Sequence, residues 1–153
     1  MTNSYQHSHK AYVAAMRTVA GTRQIVMLYD GILRQLQLAR EAMTSGHIEE
    51  RYLRLSRASA IIFGLQSSLD YEKGGKVAAI LYQFYAAVDL RIFSLHRTPS
   101  PEVCDAVSAD IRQMRDAWDA IDRGEADEQK IVASANAQND KQLKNKEGSD
   151  FSA

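Results

Sequence analysis

Apolar residues recur every three or four positions in four stretches of the chain, and this spacing places them on one face of an α-helix. The first stretch begins at Thr22, whose hydroxyl is expected to cap the helix, and it stops at Ser45-Gly46. Its predicted buried face consists of Ile25, Leu28, Tyr29, Ile32, Leu36, Ala39 and Met43. Within it, Gly31 is expected to allow a neighbouring helix to approach closely.

The second and third stretches meet at a pair of glycines. The second continues to about Tyr71, and Gly74-Gly75 is then expected to form a tight reversal with positive φ. Asp70 precedes this turn, and its carboxylate is expected to accept bonds from free backbone amides. The face of the second stretch comprises Ile48, Tyr52, Leu55, Ser59, Ile62, Leu65 and Leu69. The face of the third comprises Val77, Leu81, Phe84, Val88, Arg91 or Ile92, and Leu95.

A proline-rich connection leads into the fourth stretch. Thr98-Pro99-Ser100-Pro101 ends the third helix, because proline disfavours helical geometry at the residue before it. Ser100 is the expected N-cap of the next helix, with Pro101 at its first position. The fourth face comprises Val103, Val107, Ile111, Met114, Trp118 and Ile121, and the pattern stops near Gly124.

Four helices of about 20 residues with short connections predict an all-α protein, folded as an antiparallel four-helix bundle. The bundle should span residues 22–124. Residues 1–21 are expected to form an N-terminal arm or short helix. Residues 125–153 are polar and are expected to be a flexible, largely disordered tail with at most a marginal helix near Ile131.

The composition disfavours nucleic-acid-binding, secreted and membrane-spanning proteins. The 19 basic and 19 acidic residues cancel, so a nucleic-acid partner has little support. The one cysteine cannot form an internal disulfide, which favours a reducing compartment. Residues 1–10 contain no apolar segment of the kind found in signal peptides, and no run of 18 apolar residues occurs. We therefore expect a cytoplasmic protein without membrane insertion.

Catalytic and metal-binding motifs are weak in this sequence. His7 and His9 flank a serine in a polar segment, which is a poor signal for a metal site. No Glu-x-x-His motif of a di-metal bundle occurs, and no glycine-rich phosphate loop. Cys104 lies in a predicted first helical turn, which can lower a thiol pKa, but it has no histidine near it in sequence. We expect no enzyme activity, no metal and no cofactor.

Several short strings resemble the FliS family of flagellar secretion chaperones, in the order and spacing of that family. The resemblance extends from about Lys10 to Ile121. The matching residues are Ala11-Tyr12, Thr18, Met27 to Gly31, Leu69-Asp70, Glu72 to Gly75, Leu81, Tyr85, Arg91 and Asp116-Ala117-Trp118. The chain departs from the family at Gly21, where a proline is usual, and at Gln24, where an apolar residue is usual. It also departs at Lys76, which replaces an acidic residue, and at Ala86-Ala87-Val88, which lacks an aromatic.

Some apolar residues exceed what a bundle core requires, and they are the candidate contacts for a partner. They are Met27, Leu38, Tyr82, Tyr85 and Phe93. Such residues either widen the core or line grooves for a partner helix, and the resemblance favours the second alternative for the set. Tyr5 and Tyr12 in the N-terminal arm are also candidates. They either dock permanently or leave when a partner arrives. Trp118 is expected in the core.

The resemblance implies an export chaperone. Its partner would be the C-terminal segment of flagellin, which is disordered before assembly, and binding would prevent premature polymerisation. It also implies delivery to a component of the flagellar export gate. The alternative function is a helical regulatory protein that binds a folded partner.

Overall fold

The computed structural model describes residues 21–150 of this chain, with side chains described to residue 148. In this part the helices are α1 (Thr22–Ser45), α2 (Ile48–Ser67), α3 (Tyr71–Arg97), α4 (Pro101–Asp122) and α5 (Gln129–Asp150). The expectations about Tyr5, Tyr12, His7 and His9 fall outside the described residues.

Helices α1 to α4 form the predicted bundle. Helix α1 packs against α2 and α4, and α3 packs against the same two helices, so the four surround one core. The antiparallel arrangement of α1 and α4 is visible in their ion pairs. Arg23 at the start of α1 reaches Asp122 at the end of α4, and Arg40 near the end of α1 reaches Asp105 at the start of α4. The all-α prediction is confirmed.

The core contains most of the predicted apolar positions. Its largest fully buried side chains include Trp118, Tyr29, Tyr85, Ile32 and Leu81. Trp118 is in the core, as the sequence predicted.

Some positions predicted to be buried are exposed. Leu28 lies at the edge of the face of α1, and Val26 takes a core position instead. Ile48, Tyr52 and Val103 are also exposed. Tyr52 lies on the same side of α2 as the exposed Phe63, and in the first turn of α4 the buried residue is Cys104 instead of Val103. The pattern gave most of the core positions but not the edges of the buried face.

Helix α1 lacks the predicted threonine cap. Gly21 is the N-cap residue, no side chain caps the helix there, and Thr22 is buried. Thr22 lies inside the first turn rather than before it, so its side chain packs inward. The other end agrees with the prediction, because Gly46 ends α1 with φ of 71°.

The reversal between α2 and α3 lies earlier than the glycine pair. Asp70 is the N-cap of α3, and its Oδ1 accepts from the backbone amides of Glu72 at 3.0 Å and Lys73 at 3.1 Å. The carboxylate thereby satisfies free amides and favours the positive end of the helix. Gly75, with φ of 49°, instead kinks α3 after its first turn. The predicted positive φ is present, but it bends a helix instead of reversing the chain.

Helix α4 begins as predicted. Ser100 is its N-cap, and the Ser100 Oγ accepts from the backbone amide of Val103 at 3.2 Å. Pro101 occupies the first helical position, where the absence of its amide hydrogen costs nothing.

The polar segment after Gly124 differs from the expected disordered tail, because residues 129–150 are helical. The first half of α5 packs against α3 and α4 through Ile131, Ser134, Ala135 and Gln138. The Gln138 Nε2 donates to the carbonyl oxygen of Asp110 at 3.0 Å. Ile131 is the one large aliphatic residue in this set, and the others are small or polar, so the hydrophobic pattern alone did not reveal the docking. From Asn139 to Gly148 every residue of α5 is exposed.

Helix α3 has the length and apolarity of a membrane-spanning helix, with a mean hydropathy of 1.3 over its most apolar window. In the bundle, Leu81, Tyr85 and Ile92 of this helix are buried against the other helices. Core helices of water-soluble bundles have the same composition, so the apolarity of α3 is weak evidence for a membrane. It does leave α3 with apolar residues on its outer side as well.

Candidate partner-binding surface

Four aromatic rings lie on the outer side of α2 and α3. Tyr52 and Phe63 are eleven positions apart on α2, and Tyr82 and Phe93 are eleven positions apart on α3. Eleven residues are close to three full turns, so both rings of a pair project from one side of their helix, about 16 Å apart. All four are exposed, and Phe63 has 69% of its surface accessible. We call these residues the four-ring surface.

Contacts between α2 and α3 fix one end of this surface. The rings of Tyr52 and His96 meet edge to face with centroids 5.3 Å apart, and Phe93 lies 6.2 Å from the same imidazole. Arg51 Nη2 donates to the carbonyl oxygen of His96 at 3.3 Å. The imidazole therefore lies between an aromatic ring of α2 and one of α3.

Tyr82 lies at the other end of the four-ring surface. The Tyr82 ring packs against the ring of Tyr71, the first residue of α3, with centroids 6.3 Å apart. The Gln66 Nε2 donates to the Tyr82 carbonyl oxygen at 3.4 Å. Between the two ends, Ser59 of α2 and Ala86 of α3 are small and only partly buried. The surface is thus a shallow strip with rings at both ends and small side chains between them.

Further apolar residues extend this strip. Leu90, with 70% of its surface accessible, lies on the outer side of α3, and Ile48 is exposed in the first turn of α2. A monomeric protein rarely leaves several large apolar side chains exposed together unless something binds them. This surface is therefore the candidate docking site.

Charge is concentrated elsewhere on the bundle. Arg115 pairs with Asp30, and Arg23 with Asp119, between α1 and α4. The Arg91–Asp110 pair, with Nη1 and Oδ2 2.6 Å apart, joins α3 to α4. The Asp30 carboxylate accepts from the Arg115 Nε at 2.9 Å and so joins α1 to α4. The face between α1 and α4 thus has a cleft lined largely by charged and polar side chains and bridged by ion pairs, whereas the face between α2 and α3 carries aromatic rings.

The predicted contact residues do not form one group. Tyr82 and Phe93 belong to the four-ring surface, but Met27 and Leu38 lie on α1, exposed and half-buried respectively. Tyr85 is only 1% exposed, and Tyr29 donates a hydrogen bond to its hydroxyl at 2.9 Å. Tyr85 is thus a core residue in this conformation and cannot touch a partner.

Sequence reasoning missed Tyr52, Phe63 and Leu90. Tyr52 was assigned to the core face, and Phe63 and Leu90 were not singled out. The available signal was the repeated spacing of eleven, which pairs Tyr52 with Phe63 as it pairs Tyr82 with Phe93.

The small residue Gly31 lies on α1 where α2 comes close. A Cβ atom at this position would be 3.3 Å from the Cδ1 of Ile61 on α2. This fits the predicted close helix approach. Leu38 and Met27 follow the same side of α1.

Two titratable side chains in the described part, Cys104 and His96, have pKa values shifted by burial. Burial raises the pKa of the Cys104 thiol to about 11, which outweighs any effect of the helix start, and its Sγ lies 3.3 Å from the carbonyl oxygen of Leu36. Burial, and secondarily the charge of Arg51, lowers the pKa of His96. Among the described residues, no group of three or more His, Cys, Asp or Glu side chains is placed to hold a metal ion.

The family model and the relatives that match this chain all point to the same family. Residues 1–125 match the family described as "Flagellar protein FliS". The "Flagellar secretion chaperone FliS" of Vibrio cholerae is 34% identical over 122 residues, which cover 79% of this chain and 90% of that protein. "Flagellar secretion chaperone FliSB" of Pseudomonas aeruginosa is 33% identical over 99 residues, covering 65% and 79%. The Campylobacter jejuni FliS is 39% identical over 89 residues, covering 56% and 69%. The chain belongs to the FliS family of flagellar proteins.

Proposed function

We propose that this protein is a cytoplasmic, non-enzymatic export chaperone that binds the C-terminal segment of flagellin. Membership of the FliS family supports a chaperone role in flagellar export. The observation that carries the choice of ligand is the four-ring surface, which exposes aromatic residues along two packed helices.

The shape of this surface suits an amphipathic helix. Rings about 16 Å apart are reached by a ligand helix of about three turns with apolar residues near both ends. Ser59 and Ala86 leave room for the ligand backbone between the rings. An apolar helix face laid in such a groove is a common mode of peptide recognition.

Burying the ligand explains how the chaperone would act. The apolar faces of the flagellin segment would drive polymerisation if they were left free in the cytoplasm, and the four-ring surface would cover them. Folding the disordered segment during binding consumes about 2–5 kcal/mol of the interaction energy. The complex is therefore releasable at the export gate, whose component is a further proposed partner.

The central experiment is a titration of the full chain with the isolated flagellin C-terminal peptide. We expect a one-to-one complex, a gain of helical circular dichroism and slower flagellin polymerisation. The variants Phe63→Ala and Phe93→Ala should each weaken binding about tenfold or more, because buried aromatic anchors dominate such interfaces. Leu143→Ala is the matched control, since Leu143 and Phe93 are both 62% exposed and Leu143 lies on α5 instead of α2 or α3.

Two outcomes would contradict this function. Absence of binding and of any effect on polymerisation would reject flagellin as the ligand. Binding to a folded protein, but not to the peptide, would favour the alternative of a helical regulatory protein.

The N-terminal arm is a separate part of the proposal. We expect Tyr5 and Tyr12 either to cover the apolar surface or to grip the ligand. Deletion of residues 1–17 raises peptide affinity in the first case and lowers it in the second, and we favour the covering role. Unchanged affinity would exclude the arm from binding.

A further inference from the structure

Helix α5 lies outside the part of the chain that matches the FliS family. The match ends at residue 125, and α5 begins at Gln129. It nevertheless packs in the groove between α3 and α4, where Ile131 is completely buried. The groove therefore accepts a helix, and the helix that occupies it is an addition to the family fold.

The docking face of α5 changes character along its length. Positions 131, 135, 138 and 142 fall on one side of the helix, and they are Ile131, Ala135, Gln138 and Gln142. The first two are apolar and buried, but the last two carry amide side chains. A helix built to dock permanently would continue the apolar pattern on this side.

The groove itself stays apolar where α5 becomes polar. A cleft of about 230 Å³ separates α3 from α5. Among the α3 residues that line it, Ile80, Phe84, Ala87 and Val88 have apolar side chains, and Gln83 lies beside them. The α5 side consists of Ala135 and four amides, which are Asn136, Gln138, Asn139 and Gln142. A largely apolar side of α3 thus faces a largely amide side of α5 across unfilled space, so the packing of α5 is incomplete.

Small and polar side chains make most of the contacts that hold α5. Ile131 is its one large side chain that is fully buried, and Val132 is partly buried against the core. The other buried residues of the helix are Ser134, Ala135 and Gln138, and Gln138 donates its hydrogen bond to the Asp110 carbonyl oxygen. The Asp110 carboxylate is already paired with Arg91 of α3, so the bundle keeps this ion pair when α5 leaves. A segment held mainly by small and polar side chains opens at a lower free-energy cost than the helices of the core.

The groove under α5 adjoins the four-ring surface. Tyr82 lies next in sequence to Gln83, which lines the cleft, and Leu90 is exposed on the outer side of α3 between the two regions. The rings and the cleft therefore lie on neighbouring sides of α3, with the exposed Leu90 between them. One ligand can cover both regions once α5 has moved.

We propose that α5 is a displaceable cover, and that an amphipathic helix of the ligand replaces it in the groove between α3 and α4. This rests on the proposed function, because the ligand is the apolar C-terminal segment of flagellin. Such a helix places aliphatic side chains against Ile80, Phe84 and Ala87, where α5 places amides. Helix α5 then lowers ligand affinity by competing for the same groove.

The test uses full-length variants that change the docking of α5 in opposite directions. Gln142→Leu fills the cleft and should weaken peptide binding about three- to tenfold, because it stabilises the covered state. Ile131→Ser loosens α5 and should strengthen binding by a similar factor. Lys144→Leu is the matched control, since it adds the same side chain at an exposed position of α5 that does not line the cleft.

Hydrogen exchange provides a second readout. Saturating peptide should increase exchange at residues 131–138 while it protects α2 and α3. Circular dichroism shows whether Ile131→Ser still folds. If that variant does not fold, the affinity of Gln142→Leu still tests the hypothesis.

The outcomes separate this inference from the proposed function. If Gln142→Leu, Lys144→Leu and the natural chain bind the peptide with equal affinity, α5 is not a displaceable cover. Continued protection of residues 131–138 from exchange in the complex would reject this hypothesis as well. Weaker binding by Ile131→Ser would show that α5 grips the ligand instead. Absence of peptide binding in every variant overturns the proposed function, and the cover with it.

Discussion

The hydroxyl of Tyr29 on α1 donates a hydrogen bond to the hydroxyl of Tyr85 on α3, 2.9 Å away across the bundle core. The two rings are tilted with centroids 6.3 Å apart, and both side chains are almost fully buried. Helices α1 and α3 lie on opposite sides of the bundle, so this bond joins them through the interior. It fixes the position of α3, which carries half of the four-ring surface.

The first prediction concerns this pair. Tyr85→Phe and Tyr29→Phe should each lower the free energy of unfolding by about 1 kcal/mol, because a buried hydrogen bond is lost without a change of shape. The double variant should lose less than the sum of the single losses. Urea denaturation measures all three, with exposed Tyr82→Phe as the control. Strictly additive losses would show that the hydroxyl bond does not couple the helices.

The second prediction concerns Trp118. Trp118→Ala should lower the free energy of unfolding by about 3–5 kcal/mol, because it removes a fully buried ring. Trp118→Phe should cost clearly less, since the indole Nε1 is buried without a hydrogen-bond partner among the described residues. Thermal or urea unfolding measures both, and exposed Phe93→Ala should stay within about 0.5 kcal/mol of the natural chain. If Trp118→Ala had the same free energy of unfolding as the natural chain, the assignment of Trp118 to the core would be wrong.

The third prediction separates two helical glycines. Gly64→Ala should raise the free energy of unfolding by up to about 1 kcal/mol, because alanine favours helix and an added Cβ there has no atom within 4 Å. Gly31→Ala should raise the free energy of unfolding by less, since the added Cβ must displace the side chain of Ile61. Gly31→Leu should destabilise by about 1–3 kcal/mol through overpacking. Equal gains for the two alanine variants would mean that α1 and α2 are not in close contact at Gly31.

The fourth prediction is a pH dependence at His96. Burial and the charge of Arg51 lower the folded-state pKa of this imidazole below its ordinary value of 6.5, while Asp89 opposes the shift. Between the two pKa values the unfolded chain binds a proton that the folded chain does not. The stability present above pH 6.5 is therefore lost as the pH falls through that value toward the folded pKa.

Urea unfolding between pH 7.5 and pH 5 tests this dependence. His96→Gln should show a shallower fall in stability toward low pH than the natural chain. Tyr52→Phe keeps the ring beside the imidazole and should retain the natural slope. Identical slopes for His96→Gln and the natural chain would assign the dependence to other groups.

The sequence predicted the bundle because its helices carry strong local signals. Ser100 with Pro101, and the regular spacing from Val77 to Leu95, depend only on neighbouring residues. Tyr85 was misassigned because the core of a bundle buries a wider face than one stripe. Tyr52 was misassigned because the pattern does not show where the buried face of α2 ends, and Tyr52 lies beyond that edge, on the side of Phe63.

The length and docking of α5 were not predicted from the sequence, for a different reason. Its docking depends on the bond from Gln138 to a carbonyl oxygen 28 positions away, and no local pattern encodes such a contact. The four-ring surface likewise results from the alignment of two antiparallel helices. The eleven-residue spacing is in the sequence, but the match between α2 and α3 exists only in the fold.

The last prediction concerns the reactivity of Cys104. Burial raises the pKa of its thiol to about 11, so the thiolate fraction at pH 8 is on the order of 10⁻³, and the side chain is also shielded from reagents. Disulfide-exchange reagents should therefore modify the native chain far more slowly than the urea-unfolded chain. Ser94→Cys places a second thiol at an exposed position of α3 and should give one fast-reacting thiol per chain. Equally fast reaction of Cys104 in the native and the unfolded chain would mean that the start of α4 opens readily and that the thiol is accessible after all.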